Sequence, residues 1–318
     1  MPAIVTLTLN PALDITTETE TVRPTHKLRC GPAVLEPGGG GINVARVLHA
    51  LGGDAVAIFP QGGPAGATME QLLRDSGVPI APVSTAGATR ESFTVDETGT
   101  GKQFRFVLPG PELSEDELAR LLAAIEAVAA PACLVASGSL PPGLDPAIFG
   151  RLATLCKRIG ARLVIDTSGP ALAACEGIQA YLIKPSIREV EELVGRDLRD
   201  DGAQAEAARE LIARGFAEVV VISLGERGAL LAGKGIDLRM AALPVPPGGG
   251  AVGAGDSMVA GLTLALARGA SLEEALRMGV AAGAAALMTP AEELVRRDDV
   301  ERLYAAASAG TAAEQNSP

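Results

Sequence analysis

Tryptophan is absent from the 318 residues, and aromatic side chains make up only 3% of them. Single-stranded nucleic acid is commonly held on aromatic stacking platforms, so this composition disfavours that function. Positive charge is scarce as well. A formal net charge of −11 opposes a general binder of phosphate backbones. It does not oppose a small anionic substrate, which a few local basic residues can hold. Cys30, Cys133, Cys156 and Cys175 form no C-x-x-C pair and have no histidine-rich partner set. That pattern excludes zinc-ribbon spacing and fits reduced thiols better than a disulfide framework. No basic stretch followed by a long apolar run opens MPAIVTLTLNPALD, so no signal peptide is visible. The longest apolar region, 258–288, is broken by Arg, Glu and Gly and does not read as a membrane span. The expectation is a cytoplasmic protein with neither nucleic acid nor membrane as partner.

What is present is a globular composition, with 47% hydrophobic and 20% charged residues. Apolar runs at 4–9, 55–59, 132–137, 162–167, 180–185 and 218–224 read as strands. They alternate with helical patterns at 41–51, 65–76, 114–129, 145–159, 188–194 and 203–214, and 256–268, 271–288 and 297–307 read as closing helices. Strands apolar throughout are buried on both faces, and parallel neighbours require helical crossovers. The expected fold is therefore α/β, an open and mostly parallel sheet with helices on both sides.

Two segments break that rhythm. Residues 15–36 and 88–108 alternate polar and apolar side chains, as half-exposed antiparallel strands do, and ETGTGK has the composition of a hairpin turn. They predict a small inserted sheet that acts as a lid or as a contact between two copies. The tail 309–318 reads as frayed.

Two glycine-rich stretches carry the chemistry. GAVGAGDS (250–257) has the glycine spacing and hydroxyl of a phosphate-cradling loop, at Gly250, Gly255 and Ser257, but Asp256 stands where that loop has lysine. The helix that follows would offer the bare amides of Gly253, Ala254 and Gly255 to an anion. Asp256 then has two readings: a helix-end carboxylate on a glycine turn, or a base taking the proton of a hydroxyl that attacks a phosphoryl group held in that anion hole. EPGGGGINVAR (36–46) permits close backbone approach to a ligand and adds the two-way amide of Asn43, although a glycine run alone also reads as a hinge or helix-start turn. EPGGGGINVAR lacks the G-x-G-x-x-G spacing of a dinucleotide site, and neither glycine run stands directly after the first strand of a βαβ unit as that site requires.

Other polar groups follow strand ends, where open α/β sheets bind ligands. They are Asp14, Ser137, Ser139, Lys184, Glu189 and the turn in VISLGERG (221–228). Asp14 suits sugar hydroxyls and Ser139 a substrate phosphate. Within the lid, Lys27, Arg29, Arg90 and Arg105 are basic against an acidic background.

Taken together, TLNPALD, PGGGGINVAR, SGSLPPG, VISLG and GAVGAGDS, in this order and spacing, resemble the ribokinase-like (PfkB) family of sugar kinases from the first strand to about residue 305. Within it the likeness is greatest to the bacterial 6-phosphofructokinase branch. Branches acting on fructose 1-phosphate or tagatose 6-phosphate typically carry a lysine where this chain has Gly40. The resemblance implies a three-layer αβα sandwich with a β-sheet lid, and transfer of phosphate from ATP to fructose 6-phosphate. It implies Asp256 as base and residues 253–256 as anion hole. Asp14, Gly39, Gly40 and Asn43 would hold the sugar, and Arg90, Ser139, Lys27 and Arg29 its phosphate. Lys184, Ser186 and the loop carrying Ser223, Gly225 and Gly228 would face ATP, with Mg2+ held through water by Glu189 and a homodimer closed by the lids. Three departures stand out: Ser186 replaces a usual Asn, Ala251 a usual Thr, and MTPAEEL lacks the Asn and Gly of a monovalent-cation loop. The first implies a Mg2+-bound water ordered less rigidly than by an amide, and the other two lead us to expect weak or absent K+ activation. The alternative within the class is phosphorylation of tagatose 6-phosphate or fructose 1-phosphate, which differ by few contacts; the alternative of another class is a non-catalytic sugar-phosphate or nucleotide sensor.

Overall fold

The computed structural model describes residues 3–246, 252–289 and 293–314, with 308–314 as backbone alone. The chain runs β1 (Ile4–Leu7), β2 (Ala12–Thr19), β3 (Val34–Gly38), α1 (Gly40–Ala50), β4 (Ala55–Gln61), α2 (Gly63–Asp75), β5 (Ile80–Ser84), β6 (Arg90–Glu97), β7 (Lys102–Val107), α3 (Glu115–Glu126) and β8 (Cys133–Ser137). It continues through α4 (Ile148–Ile159), β9 (Arg162–Asp166), α5 (Gly169–Ala173), β10 (Ala180–Ile183), α6 (Ile187–Val194), α7 (Asp201–Ala213), β11 (Ala217–Ser223), β12 (Ala229–Gly233) and β13 (Ile236–Met240). The last three helices are α8 (Ala254–Ala267), α9 (Leu272–Ala286) and α10 (Arg297–Glu314).

The larger sheet has the order β13-β12-β11-β10-β9-β8-β1-β4-β5. All its pairs are parallel except β11–β12 and β12–β13. Successive strand residues enter opposite cores, as a period of two requires. Ile4, Val135, Val164, Leu182 and Val221 meet α1, α8, α9 and α10 on one face. Val5, Leu134, Ile165, Ile183 and Val220 meet α3, α4 and α7 on the other. Each such side chain gains about 1.5–3 kcal/mol on full burial, which explains strands with almost no polar residue. This is the expected αβα sandwich.

Helix α8 is buried along most of its length, from Ser257 to Leu266. It crosses α9 closely because both helices are bare at the contact. A Cβ on Gly261 would stand 2.5 Å from the Met278 carbonyl, and one on Gly279 would stand 2.7 Å from Leu262. The crossing fixes where the N-terminus of α8 points.

The lid is a second sheet, ordered β3-β2-β6-β7. Its central pair corrects the antiparallel expectation: β2 and β6 run parallel, from Ala12 opposite Arg90 to Thr19 opposite Glu97. Both strands leave the large sheet at the same end and travel outward, and only β3 and β7 return antiparallel. Residues 20–33, within the segment expected to alternate as strand, carry no strand. Four further elements were not expected: β5, whose IAPVS contains a proline, β12 and β13, which form the edge hairpin, and the short α5. Helix α10 extends past residue 307 to Glu314, while 315–318 of the expected frayed tail lie outside the described residues.

Candidate active site

Helix α8 begins at Gly253, whose φ of 80° favours glycine. The first bond of the helix is Ser257 N–H to the Gly253 carbonyl, so the amides of Ala254, Gly255 and Asp256 lie ahead of it and have no helical acceptor. Gly250 and Ala251 of the same motif lie outside the described residues. Asp256 is half-buried, and its Oδ2 accepts a 2.9 Å hydrogen bond from Asn43 Nδ2 on α1. Burial, reinforced by the nearby Asp166 carboxylate, pushes Asp256 up to about 7, against the opposing pull of Asn43 and Lys184. A carboxyl that titrates there is poised as a proton acceptor near neutral pH.

Behind these amides lies a buried ion pair, Lys184 Nζ to Asp166 Oδ1 at 3.2 Å. Burial works to lower the lysine, but Asp166, Asp256 and Glu189 outweigh it and hold it above its ordinary value, so it stays charged. A Cβ on Gly255 would sit 3.6 Å from that ammonium. The bare Gly255 therefore leaves Lys184 close behind the amides. Asp166 also accepts from Ser137 Oγ at 3.5 Å.

Asp256 faces a cavity of about 640 Å3 beneath the lid, lined also by Asp14, Gly39, Asn43, Arg90, Ser92 and Arg105. Asp14 is raised by burial, opposed by Arg90 and Arg105, by a hydrogen bond from Ser92, and by Arg46. Gly38 leaves it room, since a Cβ there would come within 2.1 Å of Asp14 Oδ2. Gly40 is equally constrained: a Cβ would come within 2.3 Å of Ser137 Oγ. Arg90 is oriented by three bonds, from Nε and Nη2 to the Asn10 carbonyl at 3.3 and 3.1 Å and from Nη1 to the Leu108 carbonyl at 3.2 Å. Asn10 Nδ2 donates to Ser139 Oγ at 3.2 Å and to the Leu140 carbonyl at 3.3 Å. Asn10 thus ties the two expected phosphate ligands together. Of the expected sugar-phosphate ligands, Gly40 and Ser139 do not line this cavity, Ser139 being linked to it through Asn10 and Arg90, and Lys27 and Arg29 are exposed on the 20–33 segment away from it.

A second cavity of about 290 Å3 opens on the other side of the first turn of α8. Ser223, Gly225 and Gly228 line it, together with Ala254, Gly255 and the apolar Ala242, Leu243, Met258, Val280, Ala284 and Leu287. Gly228 has φ of 91°, and a Cβ would come within 2.0 Å of the Met240 carbonyl. Ser186 lies beside it, bridged to Ser223, and is also the N-cap of α6. It forms a capping box in which Glu189 Oε2 accepts from Ser186 N at 2.7 Å and Oγ at 2.8 Å. Both bonds fall on one oxygen. The other oxygen suits a water-mediated Mg2+, an ion that keeps several waters and takes few carboxylates. Among the described residues no group of three His, Cys, Asp or Glu forms a metal cage.

Sequence reasoning missed Asn10, Ser92 and Asp166 and the apolar wall. Asn10 and Asp166 were visible as strand-end polar residues; the wall looked like ordinary helix interior.

The model of the pfkB family carbohydrate kinases matches residues 7–291. An "ATP-dependent 6-phosphofructokinase isozyme 2" from Mycobacterium tuberculosis is 50% identical over 99% of this chain and 93% of its own. Crystal structures of phosphofructokinase-2 from Escherichia coli are also similar. The complex with fructose-6-phosphate has a TM-score of 0.90 and 43% identity, and the complex with potassium has 0.91 and 44%. Each covers 97% of this chain and 100% of that one.

Proposed function

Since the chain belongs to the pfkB family of carbohydrate kinases, we propose that it transfers the terminal phosphoryl group of ATP to fructose 6-phosphate, making fructose 1,6-bisphosphate. The observation that carries this reading is Asp256. Hydrogen-bonded by Asn43, it faces the cavity that also holds Asp14 and Arg90, beside three amides without helical acceptors. The relatives named above supply the substrate pair.

In this mechanism Asp14, Gly39 and Asn43 position the sugar, while Arg90 and Ser139 hold its phosphate at the far end. Asp256 accepts the proton of the attacking hydroxyl as the oxygen forms its bond to phosphorus, and ADP departs with the electrons of the broken P–O bond. The amides of residues 254–256 and the Lys184 charge behind them stabilise the phosphoryl group in flight. Lys184, Ser186 and the Ser223–Gly228 loop serve the nucleotide side. Glu189 would hold Mg2+ through water, and the ion, when bound, neutralises the nucleotide phosphates. A phosphate role for Lys27 and Arg29 requires the 20–33 segment to come over the cavity.

The strand register puts the exposed Leu35, Phe93 and Phe106 (52%) in one row on one face of the lid. Such a contiguous apolar surface favours burial against a second copy, which makes a homodimer through the lids. Replacing Phe106 by Asp should then shift sedimentation from dimer to monomer. We propose a cytoplasmic site of action; separately, among the described residues no helix is long and apolar enough to cross a membrane. Ala251 and part of MTPAEEL lie outside the described residues, so the K+ expectation still stands on sequence: replacing Na+ by K+ should leave the rate nearly unchanged. A several-fold rise would sink that idea.

A coupled assay with fructose 6-phosphate, tagatose 6-phosphate and fructose 1-phosphate tests the main reading. The highest kcat/KM is expected with fructose 6-phosphate; inactivity with it overturns the choice, and inactivity with all three supports a sensor.

A further inference from the structure

Asn10, in the loop between β1 and β2, is 8% exposed and carries a feature that packing does not explain. Its side-chain oxygen Oδ1 is buried with no hydrogen-bond partner among the described residues, and a Cβ on Gly110 would collide with it. Turning the amide over is not a remedy. The Leu140 main-chain carbonyl, 3.3 Å from the other end, can only accept, so the atom facing it must be the NH2 nitrogen. A buried polar atom left unpaired costs stability, and a leucine of the same shape would carry no such cost.

The orientation of the amide decides what Ser139 can offer. An NH2 group only donates, so Ser139 Oγ is the acceptor in the 3.2 Å bond from Asn10 Nδ2. The hydroxyl proton therefore cannot point back at Asn10. Ser139 is exposed, so that proton is presented to a ligand that only accepts, as a phosphate does. The main-chain carbonyl of the same residue accepts from Arg90 Nε and Nη2, and the Leu108 carbonyl accepts from Nη1. Backbone thus holds three of the five guanidinium N–H groups and leaves two for an anion. We propose that Asn10 is a positioning residue for the sugar phosphate. Its amide turns the Ser139 O–H toward the anion that Arg90, seated on its carbonyl, also binds. The inference rests on the kinase reading and deepens it at the sugar-phosphate end.

The test uses the full-length protein with Asn10→Asp, which turns the donor into an acceptor, and Asn10→Leu, which keeps the shape and removes the donor. Asn10→Ala replaces either one that does not fold. The KM for fructose 6-phosphate, and its Kd by calorimetry without ATP, should rise about 10–100-fold, the scale of hydrogen bonds to a charged group. The kcat and the KM for ATP should stay within about twofold, as for binding lost equally in ground and transition states. On a Ser139→Ala background the same substitutions should add less than about threefold, because the hydroxyl they orient is gone. A sugar-phosphate KM and Kd within about twofold of wild type overturn the proposal, as does full additivity with Ser139→Ala. An equal rise in the KM for ATP overturns it too, since Asn10 would then support the fold alone. Wild-type protein that binds fructose 6-phosphate without turnover counts against the kinase reading only, and the Kd still decides the role of Asn10. Wild-type protein that does not bind it overturns both.

Discussion

Asp14, Arg90, Arg105 and Ser92 face one side of the first turn of α8, whereas Ala242, Leu243, Val280 and Ala284 face the other. One cavity is built of charges fixed by backbone carbonyls and by each other; the other is built of small apolar side chains. The division matches two different tasks. A sugar phosphate is distinguished by its hydroxyls and its charge, and needs oriented partners. A nucleotide base offers a large flat surface, which shape alone can hold. The turn between them, Gly253 to Asp256, lines both, so the transfer we propose takes place at the wall where the two cavities meet.

The largest effect is expected from removing what the cavities share. Asp256→Asn should lower kcat by about 10^2–10^4-fold, the range for a general base, while binding of ATP and sugar phosphate measured by calorimetry stays within a few-fold. Near-normal turnover would make Asp256 a helix-end carboxylate only. The same variant should melt higher at pH 8. The folded pKa is raised from 3.8 to about 7, so stability falls as the pH rises between those two values and the full cost stands at pH 8, where asparagine removes it.

The next effects should separate the cavities. Arg90→Ala leaves the sugar phosphate without an oriented cation and should raise its KM by about 10–100-fold, the scale of a charged hydrogen bond, with the KM for ATP unmoved. Gly283→Leu should do the reverse. Gly283 also lines the apolar cavity, and a Cβ there is 3.3 Å from the Ala254 carbonyl and 3.6 Å from Met258 Cβ. A larger side chain must therefore enter the slot, raising the KM for ATP by about tenfold, the scale of a misfit of one or two methylenes. If either variant moves both KM values together, the two cavities do not act independently. The smallest change belongs to neither cavity. Ser186→Ala removes the cap of α6 and should cost about 1 kcal/mol, lowering the Tm by roughly 2 °C.

Much of this division was legible in the residue order. Apolar strands alternating with amphipathic helices specify the αβα sandwich, and the two glycine stretches bracket the reactive turn. Asn43 and Asp256 are 213 positions apart in the chain yet form one hydrogen bond, which motif spacing alone implies but cannot place. The parallel β2–β6 pairing was not legible, because alternation reports a half-buried face and says nothing of strand direction. The apolar slot was hidden for a related reason. Val280, Gly283 and Ala284 have the pattern of any buried helix, and only the position of the Ser223–Gly228 turn leaves space beside them. Ser186 looked like a weakened ligand because its capping box with Glu189 is a local signal that the comparison with the family obscured.

The central claim is that Asp256 takes the proton of the attacking hydroxyl, and the pH dependence of kcat/KM for fructose 6-phosphate tests it most directly. Burial holds Asp256 at about 7, so the active, ionised form is lost as the pH falls through that value. Between about pH 5.5 and 8 the wild-type rate should fall tenfold per unit below about 7 and level off above it, while the residual rate of Asp256→Asn is flat. A wild-type profile that is flat across this range, or a limb near 7 that persists in the variant, would contradict the account.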